Sequence, residues 1–186
     1  MKIKYLIIFF FILCSGILFS HAQNNVKASD KKYIKHYFLA EKHKALEEYE
    51  KAKAEYDICI NENPREPAAF FQLAKIYFGL GDYNQAKEYA LEASKIAPKN
   101  IWYLYLLIEI YYQNFEFEKQ AQVWEDLIRI DKSNKIYYIE AANTYIHLEL
   151  FKKALKIIQQ AEKNISENEN LIILKSEIFQ KLNDVE

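Results

Sequence analysis

The sequence predicts an all-α chain, an α-solenoid of antiparallel helix pairs with about four units and one further helix. Three observations predict it. The first is a fixed period. Pro64 and Pro98 lie 34 residues apart, and the same interval reaches Lys132 and Ser166, where the pattern continues without the proline. Blocks beginning at Tyr33, Pro67, Ile101 and Lys135 carry Tyr49, Tyr83, Phe117 and Phe151 at the same position, each opening a similar tetrad. A period of this length marks stacked supersecondary units rather than one globular core. The second is spacing inside a block: Phe70, Leu73, Ala74 and Tyr77 fall at i, i+3, i+4 and i+7, one face of a helix. The third is composition. Three glycines and three prolines among 186 residues, with 15 tyrosines and 12 phenylalanines, suit long helices and an aromatic-rich core.

The chain opens on a segment outside the repeats. Lys2 and Lys4 precede an apolar run of 15 residues from Tyr5 to Phe19, and Ser20-His21-Ala22 places small residues at the −3 and −1 positions of a cleavage site. This is the layout of a secretory signal peptide, 1–22, and the run is shorter than the roughly 20 residues of a membrane-spanning helix. Cys14 lacks the small preceding residue of a lipidated cysteine, because Phe11-Ile12-Leu13 stands there. Cleavage before Gln23 leaves 164 residues with 23 basic and 26 acidic side chains, a net charge of −3. That balance argues against nucleic acid or an anionic membrane as partner, and leaves membrane association only to an uncleaved signal anchor. Cys59 is then the single cysteine, so packing rather than an internal disulfide must stabilise the fold.

Residues 23–32 read as a polar linker, followed by units at 33–66, 67–100, 101–134 and 135–168. Each unit reads as two helices. In the second, a helix over about 68–80 ends at Gly81-Asp82, where glycine accepts the positive φ of a C-cap and Asp82 caps the next helix. That next helix turns Ala86, Ala90, Ala93 and Ile96 inward until Pro98 forbids continuation. Ala40, Ala74 and Ala142 face Ala52, Ala86 and Ala154 where paired helices meet, since small side chains permit close backbone approach. The third block departs with Ile108 and Gln120, which predicts either wider spacing or a local rotation that gives Ala121 the small role. The column Tyr49, Tyr83, Phe117, Phe151 opens every second helix and is expected to wedge between consecutive units as core. Residues 169–186 are either a capping helix or the first helix of a further unit. Ile172 and Phe179 occupy its inward positions, Ile173 and Leu174 face the groove side, and Asn183-Asp184 stands where Gly81-Asp82 turns the second block.

The second block, with Phe70, Leu73, Ala74, Tyr77, Gly81, Ala86, Ala90, Ala93 and Pro98, resembles the tetratricopeptide repeat. The first matches it at Leu39, Ala40, Ala52, Tyr56 and Pro64, and the fourth at Tyr138, Ala141, Ala142, Tyr145, Ala154 and Ala161. The resemblance implies a right-handed superhelix whose concave groove is lined by the first helix of each unit at positions 2, 5, 6, 9, 12 and 13. Those positions nominate Tyr37, Phe38, Phe71, Lys75, Phe78, Trp102, Tyr105, Glu109, Tyr112 and Asn143 as the partner-binding surface, centred on Phe71, Trp102, Tyr105 and Tyr112. Along position 9, the neighbours Glu41–Lys75 and Lys75–Glu109 have opposite charge and are placed to pair between units. Some members of the family clamp a peptide carboxylate with Lys, Asn and Arg on this face. Tyr37, Glu41, Tyr105 and Glu109 stand there instead, so that clamp is not expected.

Chemistry-bearing patterns are sparse. His36 and His43 share a helix face but fall at positions usually buried between helices, which favours structural or capping roles over metal ligation. His147 is solitary, and the sequence holds no Gly-rich phosphate loop, nucleophile elbow or His-Glu-x-x-His. No catalytic residue, metal or cofactor is expected. The function so predicted is a non-catalytic scaffold in the cell envelope, in the periplasm of a bacterium, that binds a protein or peptide in the groove. The alternative is an interaction arm of a larger envelope enzyme or sensor.

Overall fold

The computed structural model describes residues 28–165 and 169–183. The signal segment 1–22, the linker residues before Ala28, the boundary at 166–168 and Asp184 lie outside the described residues. Among those described there are nine helices: α1 Ala28–Ala45, α2 Tyr49–Glu62, α3 Pro67–Gly79, α4 Tyr83–Ile96, α5 Ile101–Gln113, α6 Phe117–Ile130, α7 Lys135–His147, α8 Phe151–Asn164 and α9 Glu169–Asn183. The fold is an all-α helical repeat, and none of these helices is long and apolar enough to cross a membrane. The backbone groups into two compact units, one ending at Pro64 and one beginning at Arg65.

The repeat is visible first in the backbone. Glu47, Gly81, Phe115 and Glu149, spaced 34 residues apart, are the positive-φ residues of the described chain, at 58°, 79°, 58° and 58°. Each ends a first helix in the same way. In the second block the Asp82 N–H donates to the Tyr77 carbonyl at 2.9 Å and the Gly81 N–H to Phe78 at 3.1 Å. These two bonds satisfy carbonyls that the last helical turn leaves unpaired. Glu48 to His43, Glu116 to Tyr111 and Leu150 to Tyr145 repeat the longer bond. Only one of the four turns is glycine, so three non-glycine residues sit where side chains are strained. Three helix starts carry side-chain caps as well. The Asp82 carboxylate accepts from Gln85 N–H, and Asn100 and Asn134 accept from Trp102 and Ile136 N–H, each at 3.1 Å.

In the first unit α1 packs along α2. Helix α1 begins at Ala28, so residues 28–32, expected to be linker, are helical instead. Lys32 explains part of the extension, since its ammonium lies 2.5 Å from Glu62 at the far end of α2. Tyr37, nominated for the groove, is half-buried. It stacks on Tyr33 at 5.8 Å and meets Tyr56 edge-on at 5.6 Å within this unit. The Tyr56 hydroxyl donates to Glu41, whose carboxylate also takes Lys44 at 2.6 Å. Burial, then that carboxylate, pushes Tyr56 far above the ordinary tyrosine range. His36 Nδ1 and His43 Nδ1 each lie 2.5 Å from a carboxylate, Glu55 and Glu48 respectively.

In the second unit α3 to α9 stack in sequence, each helix packing on the next, and the first helices also approach one another: α3 meets α5, and α7 meets α9. Ala74, Ala86, Ala142 and Ala154 are fully buried. The third pair differs as its sequence predicts: α5 and α6 approach less closely along their length than the helices of the other three pairs. Ile108 is buried at the contact, Gln120 is half-buried, and Ala121 is fully buried. Wider spacing and a small residue shifted by one position therefore occur together. The aromatic column begins α2, α4, α6 and α8 as expected, but Tyr49, Tyr83, Phe117 and Phe151 are half-buried rather than core.

Helix α9 is rotated from its expected register. Leu171, Leu174 and Ile178 are buried, whereas Ile172 and Phe179 are 57% and 46% exposed. The positions of Ile172 and Phe179 correspond to Leu104 and Tyr111 in α5, both buried, with α6 packed on that helix. Helix α9 instead packs on α8 and α7. Leu174, expected on the groove side, belongs to that contact.

Candidate functional site

Within the second unit the nominated groove residues come from α3, α5 and α7, and burial sorts them. Phe71 is half-buried, 4.7 Å from the Tyr103 ring, with the Lys75 ammonium 5.6 Å above its face. Phe78 packs on Tyr83 at 5.4 Å. Tyr105 is half-buried among three rings: Trp102 at 6.3 Å, Trp124 at 6.1 Å and Tyr137 at 6.4 Å. Its hydroxyl is pushed up to about 12, by burial first and then by the bond to Tyr137. Trp102 and Tyr112 are the opposite case, 66% and 55% exposed, although the Asn100 cap holds the backbone at Trp102. Glu109 and Asn143 are exposed, and Phe38 in the first unit is 70% exposed.

Within the second unit, Lys75 and Glu109 do not pair. Lys75 and Glu109 have no ion-pair partner among the described residues, and Glu41 is taken up by Lys44 and Tyr56 inside its own unit. A lysine over a ring and a glutamate in solvent are what remain.

A cleft of about 910 Å³ opens between α5 and α7, with α6 at its base. Glu109 and Tyr112 form one wall; Glu140, Asn143 and His147 form the other. Phe117, Gln120 and Trp124 of α6 complete it, and Ile108 lies beside Gln120. The two residues by which the third block departs from the repeat, Ile108 and Gln120, thus both line this cleft. Phe117 is clamped by Tyr112 at 6.0 Å, by Phe115 at 6.1 Å and by the His147 ring, edge-on at 4.5 Å. Phe115 stands at the lip, 80% exposed in the left-handed turn after α5. First-helix positions alone do not lead to Phe115, Phe117, Gln120 or Trp124. The signal for them in the sequence is the departure at Ile108 and Gln120.

A second cleft, of about 610 Å³, lies between α4 and α6. Its rim carries Lys95, Lys99, Lys119 and Arg129 over an apolar floor that includes Leu107 and Val123. Three of those cations are tied to neighbours on their own stretch of chain, Lys95 to Glu92, Lys119 to Glu116 and Arg129 to Asp126. Glu116 also takes Lys87 at 2.5 Å, and the two lysines hold its carboxyl below the ordinary range.

The comparisons with known proteins agree with this architecture. Residues 67–100 match the family model described as tetratricopeptide repeat. A curated relative, anaphase-promoting complex subunit 3 of Schizosaccharomyces pombe, is 26% identical over 140 residues. The match covers 75% of this chain, which spans about a fifth (21%) of that relative's length. Among solved structures, YrrB, described as a TPR protein with an unusual peptide-binding site, is similar with a TM-score of 0.59 at 12% identity, covering 85% of each chain. MamA from Desulfovibrio magneticus RS-1 is similar at 0.57 and 15% identity, over 83% of this chain and 93% of that one. The first TPR domain of Spaghetti (RPAP3), bound to the HSP90 peptide SRMEEVD, gives 0.55 at 15% identity, over 64% of this chain and 94% of its own. The chain therefore carries a tetratricopeptide repeat at residues 67–100 within an all-α helical-repeat fold.

Proposed function

We propose that the chain is a non-catalytic interaction scaffold that binds a protein or peptide on the face formed by α3, α5 and α7, and that it does so in the cell envelope after export. The observation that carries this reading is the pairing of exposed rings with a cleft. Trp102, Tyr112 and Phe115 are 66%, 55% and 80% exposed, and the latter two border the space between α5 and α7. Large apolar side chains left in solvent on a concave surface are a cost unless a partner covers them, and Trp and Tyr dominate the energetics of such contacts. The descriptions of YrrB and of the RPAP3 domain, which name peptide binding, support the same use of the fold. Export rests on the layout of residues 1–22. Tyr105 drops out of the recognising set, because its ring and hydroxyl are engaged inside the stack.

Site-specific photo-crosslinking tests the reading. A photoreactive phenylalanine derivative is placed at position 102 or 112 of the full chain, and at the exposed Leu91 on α4 as a control away from that face. One protein crosslinked from 102 and 112 but not from 91 supports the groove. Equal labelling from all three positions contradicts it.

A further inference from the structure

Resting on the reading that the α5–α7 face binds a peptide, we propose that its cleft selects a positively charged residue, arginine above all, within an otherwise apolar peptide. The first ground is charge. The carboxylates on the cleft walls are Glu109 of α5 and Glu140 of α7; no lysine or arginine lines it. Neither carboxylate has an ion-pair partner among the described residues, although carboxylates elsewhere do: Glu116 holds two lysines and Glu162 takes Lys175 at 2.6 Å. The second ground is the rings. Tyr112 and Phe115 at the lip and Phe117 and Trp124 deeper present aromatic surface to the same space. A cation within about 6 Å of a ring centroid is attracted by the ring quadrupole, and a planar guanidinium both stacks on rings and bonds carboxylates in a fork.

The third ground is the lip itself. In the same left-handed turn, two other blocks place Glu47 and Glu149, polar residues suited to solvent, whereas this block places Phe115. Its exposed ring extends the aromatic wall next to the two glutamates and provides apolar surface for the residues flanking the arginine. The lysine of this face, Lys75 on α3, lies over Phe71 and is not among the cleft residues, so it leaves the negative character of the cleft intact.

Three synthetic peptides of one apolar sequence, differing only in carrying Arg, Gln or Glu at the two central positions, provide the probe. Binding to the full chain is followed by fluorescence anisotropy at low and high salt. The arginine peptide should bind at least ~10-fold more tightly than the glutamate peptide and weaken as salt rises. Glu109→Gln with Glu140→Gln should abolish the preference between the arginine and glutamate peptides, and circular dichroism confirms that the variant folds. Equal binding of the three peptides, or a preference that survives the double variant, overturns the proposal while the crosslinking result for the groove stands. Tighter binding of the glutamate peptide identifies an acidic partner and also overturns it. So does concentration-dependent sedimentation of the wild type that the double variant loses, which identifies a second copy of the chain as occupant. Failure of all three peptides to bind the wild-type chain counts against the proposal alone, because the crosslinking test uses no peptide.

Discussion

The Tyr105 hydroxyl donates a 3.3 Å hydrogen bond to the Tyr137 hydroxyl, joining the first helices of two successive blocks across 32 residues of sequence. Tyr137 is buried and Tyr105 half-buried, and Trp124 packs against both rings. This triad makes position 105 part of the stack, whereas Trp102 one turn earlier is left to solvent.

That bond has a pH signature. Tyr105 is raised from its ordinary 10.0 to about 12, so the folded state favours the neutral phenol. The stability linked to it is complete below pH 10 and is lost as pH rises through about 12. In urea titrations Tyr105→Phe is expected to lose about 0.5–1 kcal/mol at neutral pH. It should then decline less steeply than wild type between pH 10 and 12. Parallel curves would mean that Tyr105 titrates normally.

Phe115 occupies the turn that Gly81 occupies one block earlier, at φ 58° against 79°. Phe115→Gly relieves a left-handed side chain and gives up an exposed ring, so stability should rise by about 1 kcal/mol or fall by no more than a few tenths. If the ring belongs to the recognising surface, the same substitution weakens arginine-peptide binding. Weakened binding with stability raised or nearly unchanged, by anisotropy and urea midpoint, is the expected outcome; a large loss of both would place Phe115 in the packing.

Ile108 departs from the alanine of the other blocks yet is only 4% exposed. Ile108→Ala restores the usual residue of the repeat but leaves its volume empty, at a cost of about 2–4 kcal/mol. Ala142→Leu at the equivalent place in the next block should cost about 1–3 kcal/mol by overpacking. Denaturant midpoints check both. A stabilising Ile108→Ala would show that the wider third pair collapses to the common spacing.

The periodicity made most of the fold legible. The helix starts at Tyr49, Tyr83, Phe117 and Phe151 and the fully buried alanines follow from residue type and interval, because a small residue at a close helix contact and an aromatic at a helix start satisfy local and packing demands together. Two features were not legible. Glu47, Phe115 and Glu149 give no sign by residue type of the left-handed turn that Gly81 announces. The register of α9 follows from the neighbours it packs on, and Ile172 and Leu174 are equally apolar in the sequence. Of the candidate site, first-helix positions point to Glu109, Tyr112 and Asn143, which line the cleft, and to Trp102, which is exposed. Sorting the solvent-facing Trp102 from the engaged Tyr105 needed the three-dimensional packing, as did finding the α6 wall.

Cys59 reports on the first unit. Its side chain is fully buried, 3.5 Å from the Tyr33 carbonyl, and burial pushes the thiol up to about 11. In a chain beginning at Gln23, where it is the single cysteine, reaction with Ellman's reagent at pH 8 should be at least ~100-fold slower than in urea, since little thiolate exists and access requires opening. Rapid labelling of the native chain would show that α1 and α2 separate readily.

On the proposed function, Trp102 and Tyr112 face a partner rather than the stack. The double variant Trp102→Ala, Tyr112→Ala tests it most directly, with thermal melting and arginine-peptide affinity measured on the same preparation. A melting midpoint within about 2–4 °C of wild type is expected, because substitutions at exposed positions cost little, together with at least ~10-fold weaker binding. A large fall in the melting midpoint, or unchanged binding, would contradict it.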